Sequence, residues 1–401
     1  METFETIAVH AGRAGLTQMG VHALPIDLST TAPLVDIIEG GRDYEVLASG
    51  HALPEGASTV YRRLWNPTVA RFEDAVTELE TWALRSRSGD GASGVQTVAF
   101  ATGMAAISAL LLSRVSLGLN HVVAVRPLYG GTDHLLASGL LGTEVDFVAI
   151  GDVAAAIRAN TGLVIVESPA NPTLDLVDIR KIASAAGAVP VMVDNTFATP
   201  VLQQPLDLGA TFSVHSATKY LGGHGDAMGG TVTTSAENAI LLRQVRAITG
   251  ALLDPQTAYL LHRGLPTLPM RVRKQEETAQ SLANWLKGQD GVKRTFYPGF
   301  KECDPEGLVA SQMYGPGAMV SFELENGFAA AEAFCKGLQL ITHAVSLGGV
   351  DSLIQHPAAL THRLVAAEAK PGEGLLRISV GLESLADLTA DLERGFARVT
   401  K

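Results

Sequence analysis

Ser213-Val214-His215-Ser216-Ala217-Thr218-Lys219-Tyr220-Leu221-Gly222-Gly223-His224 sets one lysine among small and hydroxyl-bearing residues, just past a β-forming run. An amine at the end of a buried strand suits Schiff-base formation with an aldehyde. Ser216 and Thr218 add hydroxyls that can donate to a phosphate. His215 and His224 read as satisfied structural histidines.

Working outward, Val193-Asp194-Asn195-Thr196 closes the preceding apolar run, 25 residues before Lys219. An ionised Asp there is costly unless a cationic or hydrogen-bonding partner waits for it. A protonated ring nitrogen would be such a partner; a carboxylate capping a turn is the alternative. Ala101-Thr102-Gly103-Met104 leads into a helix whose free N–H groups can bind an anion, or it is a plain small-residue cap. Leu128-Tyr129-Gly130-Gly131-Thr132 puts an aromatic ring on a glycine loop, either stacked on a ligand or packed in a turn.

These segments sit at the ends of alternating elements. Strands are expected at 97–101, 121–125, 145–150, 163–167, 189–194 and 211–215, and helices at 103–115, 132–139, 152–160 and 176–186. Such alternation, with Val- and Ile-rich strands, implies a parallel sheet covered on both faces, with ligands beyond the strands' carboxyl ends. A long helical stretch, 236–285, carries the chain away. Strands at 318–324 and 375–380 then mark a smaller α+β unit. The division is an extended, irregular N-terminal arm over 1–70, a large α/β domain over 71–262 and a C-terminal α+β domain over 263–401. The stretch 85–94, rich in Arg, Ser and Gly, reads as a surface loop.

A 401-residue chain with 47% hydrophobic and 18% charged residues is globular and holds more than one core. Its net charge of −11 argues against nucleic-acid binding, and the short basic cluster 271–274 reads as a solvated helix face. Two cysteines support neither a disulfide framework nor a cysteine metal site. The acidic start lacks a signal peptide's apolar core, and no apolar run is long enough to span a bilayer. A cytoplasmic protein without a metal is expected.

Together with Glu167-Ser168-Pro169-Ala170-Asn171-Pro172 and Leu376-Arg377-Ile378-Ser379-Val380-Gly381-Leu382-Glu383, these segments resemble the Cys/Met-metabolism (trans-sulfuration) family of pyridoxal 5′-phosphate (PLP) enzymes. That group includes cystathionine γ-synthase, cystathionine γ-lyase and methionine γ-lyase. The resemblance implies a type I PLP-transferase fold, like aspartate aminotransferase. It implies Lys219 as Schiff-base lysine and proton shuttle, Asp194 on the pyridine nitrogen, and Tyr129 stacked on the ring and assisting acid–base steps. Gly103, Met104, Ser216 and Thr218 would hold the phosphate. Tyr61 and Arg63, in Tyr61-Arg62-Arg63, would reach a neighbouring subunit's phosphate, and Tyr61 its substrate. Arg377, with Asn171 and Ser346, would bind the substrate carboxylate, and Asn171 would contact the cofactor as well. A homotetramer, a dimer of dimers with shared sites, follows from the same resemblance.

Several positions depart from the family pattern. Arg62 and Trp65 replace smaller residues beside the subunit boundary. Gly131 stands where methionine γ-lyases carry a cysteine, Ala247 where they carry an aspartate, and Asp351 where glutamate is common. The expected reaction is elimination at Cγ of a sulfur- or otherwise γ-substituted amino acid, with PLP as electron sink. The two losses at 131 and 247 point to a side chain larger or differently polar than that of methionine, such as cystathionine or an unusual γ-substituted amino acid. Replacement at Cγ is the alternative, followed by a cystathionine β-lyase. A PLP-binding regulator lacks its DNA-binding head here, and an inert structural oligomer would have lost the catalytic residues that are present.

Overall fold

Seven strands, β1 (Val95–Phe100), β2 (His121–Val125), β3 (Glu144–Val148), β4 (Thr161–Glu167), β5 (Val191–Asp194), β6 (Phe212–His215) and β7 (Gly230–Ser235), form one sheet ordered β1-β7-β6-β5-β4-β2-β3. The computed structural model describes residues 2–88, 92–363, 365–366 and 369–399. Strands β2 to β6 pair in parallel, while β7 runs antiparallel to both β1 and β6.

Alternation divides the sheet's side chains between two cores. Val122, Ala124, Leu163 and Ile165 join one with the helix Gly103–Val115. Val123, Val125, Val164 and Val166 join the other with the helix Ile179–Ala186. Apolar residues on both faces make central, parallel strands the stable arrangement. The six expected strands form, with ends displaced by one or two residues. The strand β7, Gly-Thr-Val-Thr-Thr-Ser, was not among the expected strands. It is buried nonetheless, since Thr233 shares a 2.8 Å hydrogen bond with Thr97 and Thr234 donates to the Thr211 carbonyl.

A second sheet, ordered β10-β11-β12-β9-β8, comprises β8 (Val292–Phe296), β9 (Met319–Leu324), β10 (Thr342–His343), β11 (Leu353–Gln355) and β12 (Leu375–Ser379). Phe322, Phe334 and Phe396 stack edge to face between it and its two helices. The architecture matches the expected one, a largely parallel central sheet with a smaller C-terminal sheet unit.

Other expectations need correction. The first 70 residues are not wholly irregular. Helices Phe4–His10 and Ile37–Ala48 form there, capped by Thr3 and Asp36, and Pro67–Glu80 begins the next one. Phe4, Ile7 and Ala8 bury against the main core, a tertiary gain that a seven-residue pattern does not reveal. The stretch 152–160 keeps only the helix Val153–Ala156, and 236–285 is three helices, Ala236–Thr249, Pro255–Gly264 and Leu268–Lys287. Gly250 at φ 71° ends the first, a left-handed cap that favours glycine. Gly130 and Gly131 open the helix Gly130–Ser138 instead of forming a loop. The helix Trp82–Ser88 takes up the start of the expected loop 85–94, and 89–91 lie outside the described residues. Arg271 is buried, not solvated, and donates to the carbonyls of Tyr220 and Gly264 at 2.9 Å.

Candidate active site

The carboxyl ends of β4, β5 and β6 open into a cavity of about 330 Å³, roofed by the segment 345–347 and by β11 and β12 of the smaller sheet. Gly103, Met104, Tyr129, Asn171, Asp194, Ser216, Thr218, Lys219, Ser346 and Arg377 all line it. Residues as far apart in sequence as Thr102 and Arg377 meet because the strand ends share one edge and the second sheet folds over it.

Lys219 follows β6 on a short turn. Its Nζ donates to Ser346 Oγ at 2.7 Å. Burial, helped by the Arg377 charge, lowers its pKa to about 8, so a useful fraction is a free amine near neutral pH. Asp194 ends β5, and Thr196 gives its Oδ1 both a backbone N–H at 3.1 Å and a hydroxyl at 2.5 Å. Burial still raises the Asp194 pKa against the Thr196 hydrogen bonds and the nearby His215, and among the described residues no lysine or arginine pairs with it. Tyr129 lies across the cavity; burial, with Glu167 and Asp194 against an opposing Arg377, raises its pKa and keeps the phenol protonated.

Arg377, on β12, is 3% exposed. Its Nη1 donates to Asn171 Oδ1 at 2.7 Å, and Nη2 donates to the Ser346 carbonyl at 3.1 Å and to Gln355 Oε1 at 2.8 Å. All three acceptors are neutral, and Nε is buried without a partner. Desolvation lowers the Arg377 pKa to about 10. Glu167 acts on it only through space, without an ion pair, and a buried guanidinium so placed is costly; an entering carboxylate would relieve it.

The phosphate end is less charged. Thr102 caps the helix Gly103–Val115 by accepting from Ala105 N–H, and the N–H groups of Gly103 and Met104 have no partner within the helix. A Cβ on Gly103 would come within 2.9 Å of Ser216 Cβ, so only glycine lets these two backbones meet. The cavity thus offers an amine of lowered pKa, a carboxylate without a cation, a ring to stack on and a helix start with hydroxyls. That donor set suits PLP: aldehyde, ring nitrogen, ring face and phosphate respectively. A buried guanidinium remains for a substrate carboxylate.

Two expected site residues lie elsewhere. Tyr61 is 45% exposed, and Arg63 Nη1 donates at 2.8 Å to the carbonyl of Ala247 in its own chain. Neither lines this cavity. Ala247 itself packs with Leu47 and Leu64, away from the cavity. Sequence reading assigned no role to Glu167, Gln355 or Thr361, although all three line the site. Gln355 Nε2 donates to Thr361 Oγ1 at 2.5 Å while its Oε1 holds Arg377. A neutral Gln near the start of a loop carries no chemical signal of its own; only the partner at residue 377 discloses it. Among the described residues no cluster could hold a metal ion, and no helix is long and apolar enough to cross a membrane.

A sequence model described as Cys/Met metabolism PLP-dependent enzyme matches residues 5–397. An L-methionine gamma-lyase of Brevibacterium aurantiacum is 59% identical over 97% of this chain and 93% of its own. Another, of Streptomyces avermitilis, is 51% identical over 98% and 89% respectively. The crystal structure of cystathionine gamma-lyase from Lactobacillus plantarum, complexed with L-serine, superposes with a TM-score of 0.86 at 34% identity, covering all of both chains.

Proposed function

Because the chain belongs to the Cys/Met metabolism family of PLP-dependent enzymes, we propose that it eliminates the γ-substituent of methionine, yielding methanethiol, ammonia and 2-oxobutyrate. It is a PLP-dependent carbon–sulfur lyase acting on an amino acid. The observation that carries the substrate reading is the buried guanidinium of Arg377, which donates to neutral acceptors and keeps Nε without a hydrogen bond among the described residues, beside Lys219 in one cavity.

Bound PLP supplies an electron sink for the carbon acid chemistry at Cα and Cβ. Arg377 and Asn171 orient the amino acid by its carboxylate. Lys219 Nζ then takes the Cα proton and serves at Cβ, its lowered pKa matching both directions of transfer. Tyr129, held protonated, donates to the departing sulfur. Water enters to release ammonia and the 2-oxo acid, which balances methionine plus water against the three products.

Beyond Lys219, Arg377, Asp194 and Glu167, no described charged side chain lines the cavity. With Arg377 given to the substrate's own carboxylate, the second carboxylate of cystathionine finds no cationic partner among these lining residues, whereas Met104, Ile107, Met228, Val345 and Leu347 suit a methylthio group. This, with the relatives named for methionine, outweighs the expectation of a larger substrate drawn from Gly131 and Ala247.

We further infer at least a dimer, and a tetramer by family resemblance. Val35, Ile37 and Ile38 are 84%, 92% and 67% exposed on the arm that carries Tyr61 and Arg63, a face that a second copy would cover. A cytoplasmic location is our reading too, in keeping with the free thiols of Cys303 and Cys335.

The test is a panel of methionine, homocysteine, cystathionine and O-acetylhomoserine with and without cysteine, with products identified by mass spectrometry. Methanethiol and 2-oxobutyrate in equal amounts from methionine support the reading. Cystathionine formation outpacing 2-oxobutyrate would make the enzyme a synthase, and pyruvate from cystathionine a β-lyase.

A further inference from the structure

Glu167 is 5% exposed and has no ion-pair partner among the described residues. It ends β4 as the Cα partner of Asp194 at the end of β5, so both carboxylates project from the same face into one cavity. Burial, reinforced by Asp194, pushes the Glu167 pKa well up, despite opposing hydrogen bonds and the Arg377 charge. Keeping two carboxyl groups side by side in a buried site is unfavourable, so the position has to yield something in return.

Its hydrogen bonds say what. Oε2 accepts from the backbone N–H of Tyr129 at 2.6 Å, and Oε1 accepts from the backbone N–H of Asn171 at 2.9 Å. Tyr129 begins the helix Gly130–Ser138 with no cap from its own side chain, so Glu167 fixes the peptide on which the ring turns. Asn171 Oδ1 in turn holds Arg377 Nη1. One carboxylate therefore ties the aromatic wall to the carboxylate clamp.

We propose that Glu167 is a positioning residue, which sets the Arg377 clamp through Asn171 and the Tyr129 ring through its peptide. The inference rests on the PLP-lyase reading and assigns Glu167 no contact with substrate. A bracket that only stabilised the fold would change unfolding temperature and leave ligand discrimination alone. A positioning role instead weakens the recognition of a carboxylate specifically.

The experiment compares PLP-loaded wild type with E167Q and E167D, using norleucine and pentylamine as competitive inhibitors. These ligands differ only in the carboxylate, and neither can be eliminated at Cγ. Gln replaces one accepting oxygen with a donor, and Asp is one methylene short of reaching both N–H groups. Norleucine affinity should fall at least ~10-fold, the scale of one charge-assisted hydrogen bond, with pentylamine affinity unchanged. If one variant fails to load, the other gives the same reading. An unchanged norleucine-to-pentylamine ratio in either loaded variant overturns the proposal, as does loss of fold in both. A wild type that binds neither inhibitor would instead count against the enzyme reading itself.

Discussion

Lys219 Nζ donates at 2.7 Å to Oγ of Ser346, a residue held at φ 98°, where a side chain is strained. The same Ser346 accepts from Arg377 Nη2 through its carbonyl at 3.1 Å. One residue thus spaces the proton-shuttling amine from the carboxylate clamp, and strain of order 1–3 kcal/mol is tolerated to keep it there. Ser346→Gly removes the hydroxyl and suits the backbone. It is expected to keep Tm within a few degrees while kcat/KM drops about 10-fold, near 1.4 kcal/mol for one lost hydrogen bond. Thermal melting and steady-state kinetics on the same preparation check this; unchanged kinetics would leave the Lys219–Ser346 contact without consequence.

The Lys219 amine carries its own pH signature. In the folded, cofactor-free chain its pKa is lowered to about 8, chiefly by burial and secondarily by Arg377. Below that value the protonated form dominates and cannot attack an aldehyde, so capture of added PLP should slow as pH falls and level off above it. Stopped-flow absorbance from pH 6.5 to 10 should give a midpoint near 8. A midpoint near the ordinary lysine value would mean that the cavity does not perturb this amine.

Asp194→Asn tests the ring-nitrogen assignment. Asp194 is half-buried, takes both Thr196 hydrogen bonds on one oxygen, and is raised in pKa by desolvation against those bonds and the nearby His215. The amide keeps the shape and the contact with Thr196 but cannot hold a ring proton. Turnover should fall at least ~10²-fold with PLP still bound, the scale of losing one preorganised electrostatic partner. Turnover near that of wild type would reduce Asp194 to a strand-end cap.

Most of this site was legible because its chemistry sits in short segments at strand ends. The Val-rich run before Asp194 and the short β-forming run before Lys219 located two of them, and a parallel sheet brings such ends together. The strand β7 stayed hidden because the hydroxyls of Thr233 and Thr234, polar in sequence, are satisfied across the sheet by Thr97 and the Thr211 carbonyl. Glu167 was in view but had no role, since its partners are backbone N–H groups that no side-chain pattern reports. The helix Ile37–Ala48 escaped notice for another reason. Its apolar residues Ile37 and Ile38 face away from the chain's own core, so their spacing does not follow that core.

Tyr61 and Arg63 lie outside their own chain's cavity, which makes subunit mixing informative. A Tyr61→Phe/Arg63→Ala chain and a Lys219→Ala chain should each be inactive alone. Mixed under conditions of proven subunit exchange, they should regain activity, because one site per mixed dimer is built from unaltered halves. Exchange without recovery would return the Tyr-x-Arg pair to its own subunit's site.

The covalent claim can be read directly. Reduce the PLP-loaded enzyme with borohydride, digest it, and locate the pyridoxyl-modified peptide by mass spectrometry. The account predicts one modified residue, Lys219, in the peptide containing Ser216-Ala217-Thr218-Lys219, and no fixed cofactor in Lys219→Ala. Stoichiometric modification of any other lysine would contradict it.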